Sequence, residues 1–440
     1  MTSKSISLLF LILICLISDV SAQISKPEMQ IVAAVDKRSP AALDLLKKVV
    51  NINSGTMNFE GVRKVGNIFM EELKAIGFET RWSPGESFNR AGHLIAVHVG
   101  KKNPKILLIG HLDTVFESDS PFQEYKMLND SIMNGPGASD MKGGDVVMIL
   151  ALQALKDSGL LEDMSIEIVM TGDEELSGEP IALSKKDIVD AAIRADIALG
   201  YEDGDGLSTT AVISRRGSAD WTLKVKGVAS HSSQIFTEKV GTGAIYEASR
   251  ILNEFYTTLS REENLTFNPG VIIGGSTVSF DEDKNTGTAF GKNNVVAQDV
   301  IVRGDLRAFS KDQLAKAKKI MTDIVANNYP MTSAIIEFGE DAYPPMSLTE
   351  GNKQLLSYLN YVSLDLGFGP EVAVNPRKAG AADISFAADH VEMAMDGIGL
   401  PGGDGHTINE TGNIRFLPIE AKRSAVLMYR LVHGTADSGK

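Results

Sequence analysis

Three apolar runs in the first half of the chain are long enough to be buried strands, and each stops at glycine or at a polar residue. They lie at residues 106–109, 166–170 (interrupted by Glu167) and 197–199, and near-continuous apolar runs of this length are typical of strands buried on both faces. Residues 146–155 carry an apolar helical pattern. We expect an α/β domain whose parallel strands end at one edge of a sheet, where residues distant in sequence share a crevice.

The pattern changes after residue 213. Residues 220–227 alternate apolar and polar positions, which predicts a half-solvated antiparallel strand. Ser310 and Gln313 form a capping box that predicts the start of an amphipathic helix ending at about residue 326. The other predicted elements are a helix and two strands, at residues 243–259, 271–280 and 295–309.

These elements indicate an inserted domain at residues 214–338. The two prolines at 344–345 mark the return of the chain to the first domain, which closes with a helical pattern over residues 419–432. We therefore predict a catalytic domain in two parts, at residues 23–213 and 339–440. A length of 440 residues also exceeds what one hydrophobic core usually supports.

The first 22 residues have the pattern of a signal peptide. Lys4 precedes an apolar stretch at residues 8–17, and Val-Ser-Ala at residues 20–22 offers a small-residue cleavage site. The stretch is too short for a transmembrane helix, so we expect export to the periplasm or the medium without a stable membrane anchor. The sole cysteine, Cys15, would leave with the signal, which excludes disulfides and thiol catalysis in the mature chain.

The net charge of the chain limits the kinds of molecule that we expect it to bind. The net charge of −14 argues against binding to nucleic acid or to anionic membranes. It leaves an acidic substrate possible, since bound metals and nearby arginines would set the local field.

Most residues that could bind a metal or transfer a proton lie just after the apolar runs. His111 and Asp113 lie on the same side of an extended segment, so His111 can bind zinc while Asp113 accepts its other N–H and orients the ring. Asp140 stands in a glycine-rich loop and has two oxygens with which to bridge two metals. Glu174 and Glu175 follow the second run, where one can ligate a metal and the other can act as base.

Two further ligands complete the constellation. Glu202 follows the third run, although Asp203 and Asp205 lie beside it, and His406 stands in a glycine-rich loop near the end of the chain. Taken singly, each of these residues has a purely structural alternative. We expect the histidines that lack such surroundings to be structural, namely His93, His98, His390 and His433.

The segments GHLDT, GASDMKGG and GDEELSG, with His406 after Gly-Leu-Pro-Gly, resemble the M20 family of metallopeptidases and amidohydrolases, and glutamate carboxypeptidase most closely. The resemblance implies a zinc-exopeptidase-like domain with a mixed central sheet and a lid of four antiparallel strands and two helices. It implies two zinc ions per subunit, one held by His111, Asp140 and Glu202 and the other by Asp140, Glu175 and His406. Glu174 would be the general base that activates a water between the metals, and Asp113 the orienting carboxylate.

The same resemblance places three substrate-binding residues in the lid and implies a homodimer formed through it. His231 and Asn294 would donate hydrogen bonds to the oxyanion, and Arg307 would bind a free carboxylate, for which Arg377 is also available. The sequence departs from the family at Ala297, where proline is frequent, and in the loop at residues 378–383, where two expected glycines are alanines. The substrate is therefore harder to predict than the reaction.

The favoured function is hydrolysis of an amide next to a free C-terminal amino acid, in a small peptide or an N-acyl amino acid. The alternatives are a zinc aminopeptidase or dipeptidase of the same family and a catalytically silent binding protein on the same fold. A silent protein would be expected to have lost Glu174 or a ligand, and the sequence retains all of them.

Overall fold

A computed structural model of the chain describes residues 24–281, 286–339 and 343–434. The central sheet has six strands, in the spatial order Glu79–Pro84, Gly92–His98, Met164–Thr171, Lys102–His111, Ile197–Gly200 and Met393–Met395. The last four strands are parallel, whereas Gly92–His98 runs antiparallel to both of its neighbours. The predicted α/β fold with a mixed central sheet is confirmed.

Both faces of the central sheet are buried, as its continuous apolar runs predict. Ile106 and Leu108 belong to the hydrophobic core on one face, and Leu107 and Ile109 to the core on the other. The first face is covered by the long helices Lys26–Val50, Phe59–Ala75, Lys142–Asp157, Glu350–Asp365 and Leu417–His433. The second face is covered by Lys186–Arg194 and Ile384–Ala387.

The inserted lid is a separate layer with its own core. Its antiparallel sheet has the order Thr266–Gly275, Asp299–Ala308, Gly217–Lys226 and Ser333–Phe338. The helices Gly243–Leu259 and Lys311–Val325 pack on one face, around buried Trp221 and Phe255. Ser310 accepts a hydrogen bond from the backbone N–H of Gln313, as the capping pattern predicts.

Two lid strands differ from their predicted bounds. The run predicted at 271–280 breaks at Ser276, and Thr277–Asp281 pairs instead with Thr286–Phe290 as a hairpin. The strand predicted from residue 295 begins at Asp299, because Val295 forms a bridge with His231 outside the lid sheet.

The remaining elements are short. One small sheet contains the strands Lys126–Met127, Ile132–Asn134, Gly402–Gly403 and Thr411–Asn413. Another pairs Thr210–Ala211 with Val372–Ala373. The short helices are Glu86–Phe88, Leu161–Asp163, Ile181–Ser184 and Ser232–Gln234. Across the described ranges, no helix has the length and apolar character needed to cross a membrane. The predicted signal peptide at residues 1–22 lies outside those ranges.

Candidate metal centre and active site

Asp113 lies just beyond the strand Lys102–His111, and its buried carboxylate holds two other segments in place. Oδ1 accepts a hydrogen bond from the backbone N–H of Glu174 at 3.1 Å, and Oδ2 accepts one from that of Glu175 at 3.2 Å. The hydroxyl of Thr56 donates to Oδ2 at 2.6 Å. On the other side, Nδ1 of His111 lies 3.1 Å from the Asp113 carbonyl oxygen and 3.4 Å from Oδ1. These contacts leave Nε2 of His111 facing the crevice.

The five predicted metal ligands come together in two groups that share Asp140. Nε2 of His111 lies 3.1 Å from Oδ1 of Asp140 and 3.6 Å from Oε1 of Glu202. Nε2 of His406 lies 3.1 Å from Oδ2 of Asp140 and 3.1 Å from Oε2 of Glu175. Within each group of three residues the candidate ligand atoms all lie within 4.8 Å of one another. Asp140 therefore presents one oxygen to each group, as a carboxylate bridging two cations would.

The electrostatics of the two groups show an excess of buried negative charge. Burial raises the pKa of Glu202 well above its ordinary value, and repulsion by Asp140 adds to the effect although His111 opposes it. Burial and repulsion by Asp140 also raise the pKa of Glu175. Hydrogen bonds to Asp140 and Glu175 raise the pKa of His406 to about 11. Bound cations would relieve this repulsion, so the donor set fits two divalent metal ions.

Glu174 lies beside both groups without belonging to either. Its pKa is raised well above the ordinary value by burial and by the charges of Asp383, Glu175 and Asp140, although His111 opposes the shift. Its backbone is fixed at the N–H by Asp113 and at the carbonyl oxygen by the hydroxyl of Tyr343, which donates at 3.1 Å. Its side chain is thus available for proton transfer at the edge of the metal centre.

Glu202, rather than either neighbouring aspartate, enters the ligand group. Its backbone N–H donates to Oδ1 of Asp396 at 3.2 Å, while Oδ2 of Asp396 accepts from Arg215 at 2.9 Å. Asp205 instead accepts from the hydroxyl of Thr210 at 2.6 Å. Asp396 is a supporting residue that the sequence analysis did not identify, because no motif surrounds it.

Glu410 is a second residue that the sequence analysis missed. Its buried carboxylate accepts hydrogen bonds from the backbone N–H groups of Gly137, Ser139 and Asp140 at 3.2, 3.0 and 3.2 Å. Burial and the charge of Asp140 raise the pKa of Glu410 to about 7. Its position four residues after His406 is the one signal in the sequence, and it is weak because polar loops commonly contain glutamate.

The three predicted lid residues lie apart from the metal groups. His231 and Asn294 are both exposed, and their segments are held side by side, since the carbonyl oxygen of Asn294 accepts from the backbone N–H of Ser232 at 2.9 Å. Arg307 donates to Oδ2 of Asp305 at 3.0 Å. Among the contacts of the described residues, none joins these three side chains to the five candidate ligands.

Three arginines converge where the lid meets the catalytic domain. Arg216 is buried, donates to the carbonyl oxygen of Arg377 at 3.1 Å, and has an Nε without a hydrogen-bond partner among the described residues. Burial lowers its pKa, and the charges of Arg307 and Arg377 lower it further. Arg307 also lies beside Gly380, where an added Cβ would be 3.8 Å from Nη1. This concentration of positive charge favours a bound anion.

Two of the histidines expected to be structural have buried, satisfied positions. Nε2 of His93 lies 2.8 Å from the carbonyl oxygen of Ser184, and its ring stacks on Phe88. Nδ1 of His98 lies 2.9 Å from the carbonyl oxygen of Met164. Neither belongs to a candidate metal group.

Comparisons with known proteins show what the chain is similar to in sequence and fold. The chain is 24% identical over 375 residues to carboxypeptidase G2 of Pseudomonas sp. (strain RS-16), covering 84% of each chain. Its fold is similar to that of the aminopeptidase PepT from Bacillus cereus, with a TM-score of 0.71, 18% identity and coverage of 89% of this chain and 98% of the other. A dinuclear metal-binding peptidase of the M20 family from Bacillus subtilis matches with a TM-score of 0.64 and 13% identity, covering 91% and 99%.

The mixed sheet, the inserted lid and the crowded carboxylates at the sheet edge define a metallohydrolase of the peptidase and amidohydrolase class. The chain belongs to peptidase family M20/M25/M40, whose family model matches residues 107–430.

Replacing Glu410 by alanine should weaken metal binding by about 10- to 100-fold, because residues that orient the ligands of a metal contribute about this much to affinity. The loop that carries Asp140 would lose three backbone hydrogen bonds, those donated by Gly137, Ser139 and Asp140. Competition against a fluorescent chelator with Zn²⁺ or Co²⁺ measures the effect. Glu28→Ala removes another buried carboxylate, one that pairs with Arg430 away from the site, and should leave the affinity unchanged. Equal affinities for both variants would contradict the role of Glu410.

Proposed function

We propose that the protein hydrolyses the amide bond next to a free C-terminal amino acid, in a short peptide or an N-acyl amino acid, as a glutamate carboxypeptidase-like exopeptidase or amidohydrolase. The observation that carries the proposal is the pair of ligand groups joined at Asp140, with Glu174 beside them and the arginines at the lid junction. The similarity to carboxypeptidase G2 supports the same reading.

Two zinc ions are the proposed cofactor. His111, Asp140 and Glu202 would hold one, and Asp140, Glu175 and His406 the other, since imidazole and carboxylate are ordinary zinc ligands. When bound, a metal pair of this kind polarises the scissile carbonyl and lowers the pKa of water. Asp113 and Glu410 keep the ligand-bearing segments in register.

Glu174 is the proposed general base. Its carboxylate takes a proton from the attacking water and returns it to the leaving nitrogen, so one residue serves both halves of the reaction. Asp113 fixes the Glu174 backbone, which limits where the side chain can reach. His231 and Asn294, held together in the lid, are the proposed donors to the oxyanion when the lid approaches the substrate.

Arg307 is the proposed partner of the substrate's free carboxylate. Its planar guanidinium suits a bidentate contact, and its ion pair with Asp305 leaves it half-exposed. Arg216 and Arg377 add positive charge at the same place. A substrate that ends in a carboxylate would relieve the mutual repulsion of these three cations.

Glu174→Gln should keep both metals and lose about 10²- to 10⁴-fold in turnover, the usual cost of removing a positioned acid or base. The assay is release of free amino acids by zinc-loaded protein beginning at residue 23, from N-acyl amino acids, peptides ending in glutamate and free-amine dipeptides. Cleavage of the blocked substrates supports the proposal, whereas cleavage restricted to free-amine dipeptides would identify an aminopeptidase instead. Near-normal turnover by Glu174→Gln would exclude it as the base.

Arg307→Met should raise the KM for substrates with a free carboxylate by about 10- to 100-fold, because hydrogen bonds to a charged group contribute about 1.5–3 kcal/mol. The corresponding C-terminal amides, already poor substrates, should change little. Lys319→Met removes a lid cation that pairs with Asp323 on the same helix and serves as the control. An equal rise in KM for the acid and the amide substrates would mean that Arg307 does not bind the substrate's carboxylate.

A homodimer through the lid is also proposed. The strand Thr266–Gly275 lies at the end of the lid sheet and pairs there with one strand, Asp299–Ala308. Ile272 of this strand is 58% exposed and Phe290 of the neighbouring hairpin is 63% exposed, and Ile245 and Tyr246 on the adjacent helix are half-exposed. An open edge with apolar neighbours is a template for pairing with another strand, and a second copy of the same edge satisfies it by twofold symmetry.

Ile272→Glu should shift the protein from dimer to monomer, because it places a charge in the centre of this apolar patch. Analytical ultracentrifugation over a concentration series measures the change. Ile193→Glu alters an equally exposed apolar residue of the catalytic domain (63% exposed) and should leave the association state as it is. A wild-type protein that sediments as a monomer at all concentrations would refute the proposed dimer.

A further inference from the structure

A buried lysine lies behind the segment that carries Glu174 and Glu175. The side chain of Lys185 is 1% exposed, and its ammonium lies 3.1 Å from Oδ1 of Asp173 and 3.0 Å from Oδ1 of Asp383. It also donates to the backbone carbonyl oxygen of Asp173 at 3.1 Å. One cation thus contacts two buried carboxylates that are more than two hundred residues apart in sequence.

Asp173 connects this cation to the segment at residues 173–178, here called the base loop. Its Oδ2 accepts from the backbone N–H of Gly178 at 2.9 Å, which closes the loop, and from the hydroxyl of Ser184 at 2.6 Å. Glu174 and Glu175 lie between these two ends. A displacement of Asp173 would therefore move both glutamates.

Asp383 connects the same cation to the sheet. Its Oδ2 accepts from the hydroxyl of Thr171, the last residue of the strand that precedes the base loop, at 2.5 Å. Tyr343 contacts both Lys185 and the base loop. Its ring lies 5.7 Å from the Lys185 ammonium, and its hydroxyl donates to the carbonyl oxygen of Glu174. The base loop is consequently held at its start, its middle and its end.

We propose that Lys185 is a positioning residue, which holds the base loop against the end of the central sheet so that Glu174 and Glu175 keep their working places. The inference rests on the roles given to these two glutamates in the proposed function. Lys185 itself contacts none of the candidate metal ligands among the described residues, so it acts through Asp173 and Asp383. Its fixed charge also allows two carboxylates to be buried next to an already acidic site.

A double variant tests whether Lys185 positions the base loop or only stabilises the fold. Lys185→Met with Asp383→Asn removes the cation and one carboxylate together, so the net charge of the cluster stays the same and no new uncompensated charge is buried. The matched control is Arg430→Met with Asp365→Asn. Arg430 also joins two carboxylates on different segments, Glu28 and Asp365, both at 2.6 Å, and lies away from the site.

The expected result is a fall in kcat of about 10²-fold for the Lys185 double variant, with KM changed less than about threefold, because a misplacement near 1 Å costs about this much. The control should lose thermal stability to a similar degree and keep its kcat. Visible absorption of the Co²⁺-loaded protein gives a second readout, since Glu175 is a proposed ligand. The spectrum should change in the Lys185 double variant and not in the control.

Equal kcat and equal cobalt spectra for the two double variants would overturn the proposal and leave Lys185 a purely stabilising residue. If the Lys185 double variant does not fold, the single variant Asp383→Asn tests the proposal. We then expect the same change in the cobalt absorption spectrum, but a smaller one. Should the wild-type protein cleave no substrate in the panel, the proposed function fails. The cobalt spectra would still show whether Lys185 positions the base loop.

Discussion

The carboxylate of Asp113 is completely buried and accepts hydrogen bonds from the backbones of Glu174 and Glu175 while it faces Nδ1 of His111. Two strand ends are therefore locked to each other through a single side chain. A buried carboxylate needs several donors to be tolerated, and here those donors belong to the segments that carry the chemistry. The geometry of the metal centre consequently depends on Asp113, although it belongs to neither ligand group.

Two other buried carboxylates in the site also accept hydrogen bonds from the backbone of a candidate ligand. Glu410 holds the backbone of Asp140, and Asp396 holds that of Glu202. In each case the supporting residue comes from the last hundred residues and the supported one from the first half of the chain. The two parts of the catalytic domain are thus joined at the points where ligand position matters most, and the inserted lid between them does not disturb these contacts.

Three of the five candidate ligands, His111, Glu175 and Glu202, follow apolar runs whose ends lie at one edge of the sheet, so their proximity could be predicted from the sequence. Ile106 and Leu107 face opposite cores, so a continuous apolar run identifies the strand that delivers His111. The helix Gly243–Leu259 is predicted for a similar reason, since its periodicity marks one buried face. Asp396, Glu410 and Lys185 were not predicted. Their importance comes from partners far away in the sequence, and no local pattern distinguishes them from surface residues.

Negative charge in the site is balanced in two different ways. Asp173, Asp383 and Asp396 have cations of the protein as partners, namely Lys185 and Arg215. Asp140, Glu175 and Glu202 face each other and two histidines, and burial raises the pKa of both glutamates. A permanent partner suits a carboxylate that only positions the backbone. A carboxylate without one keeps its lone pairs for a metal or for backbone donors. Asp113 and Glu410 use theirs for backbone N–H groups, whereas the proposed ligands direct theirs toward one another.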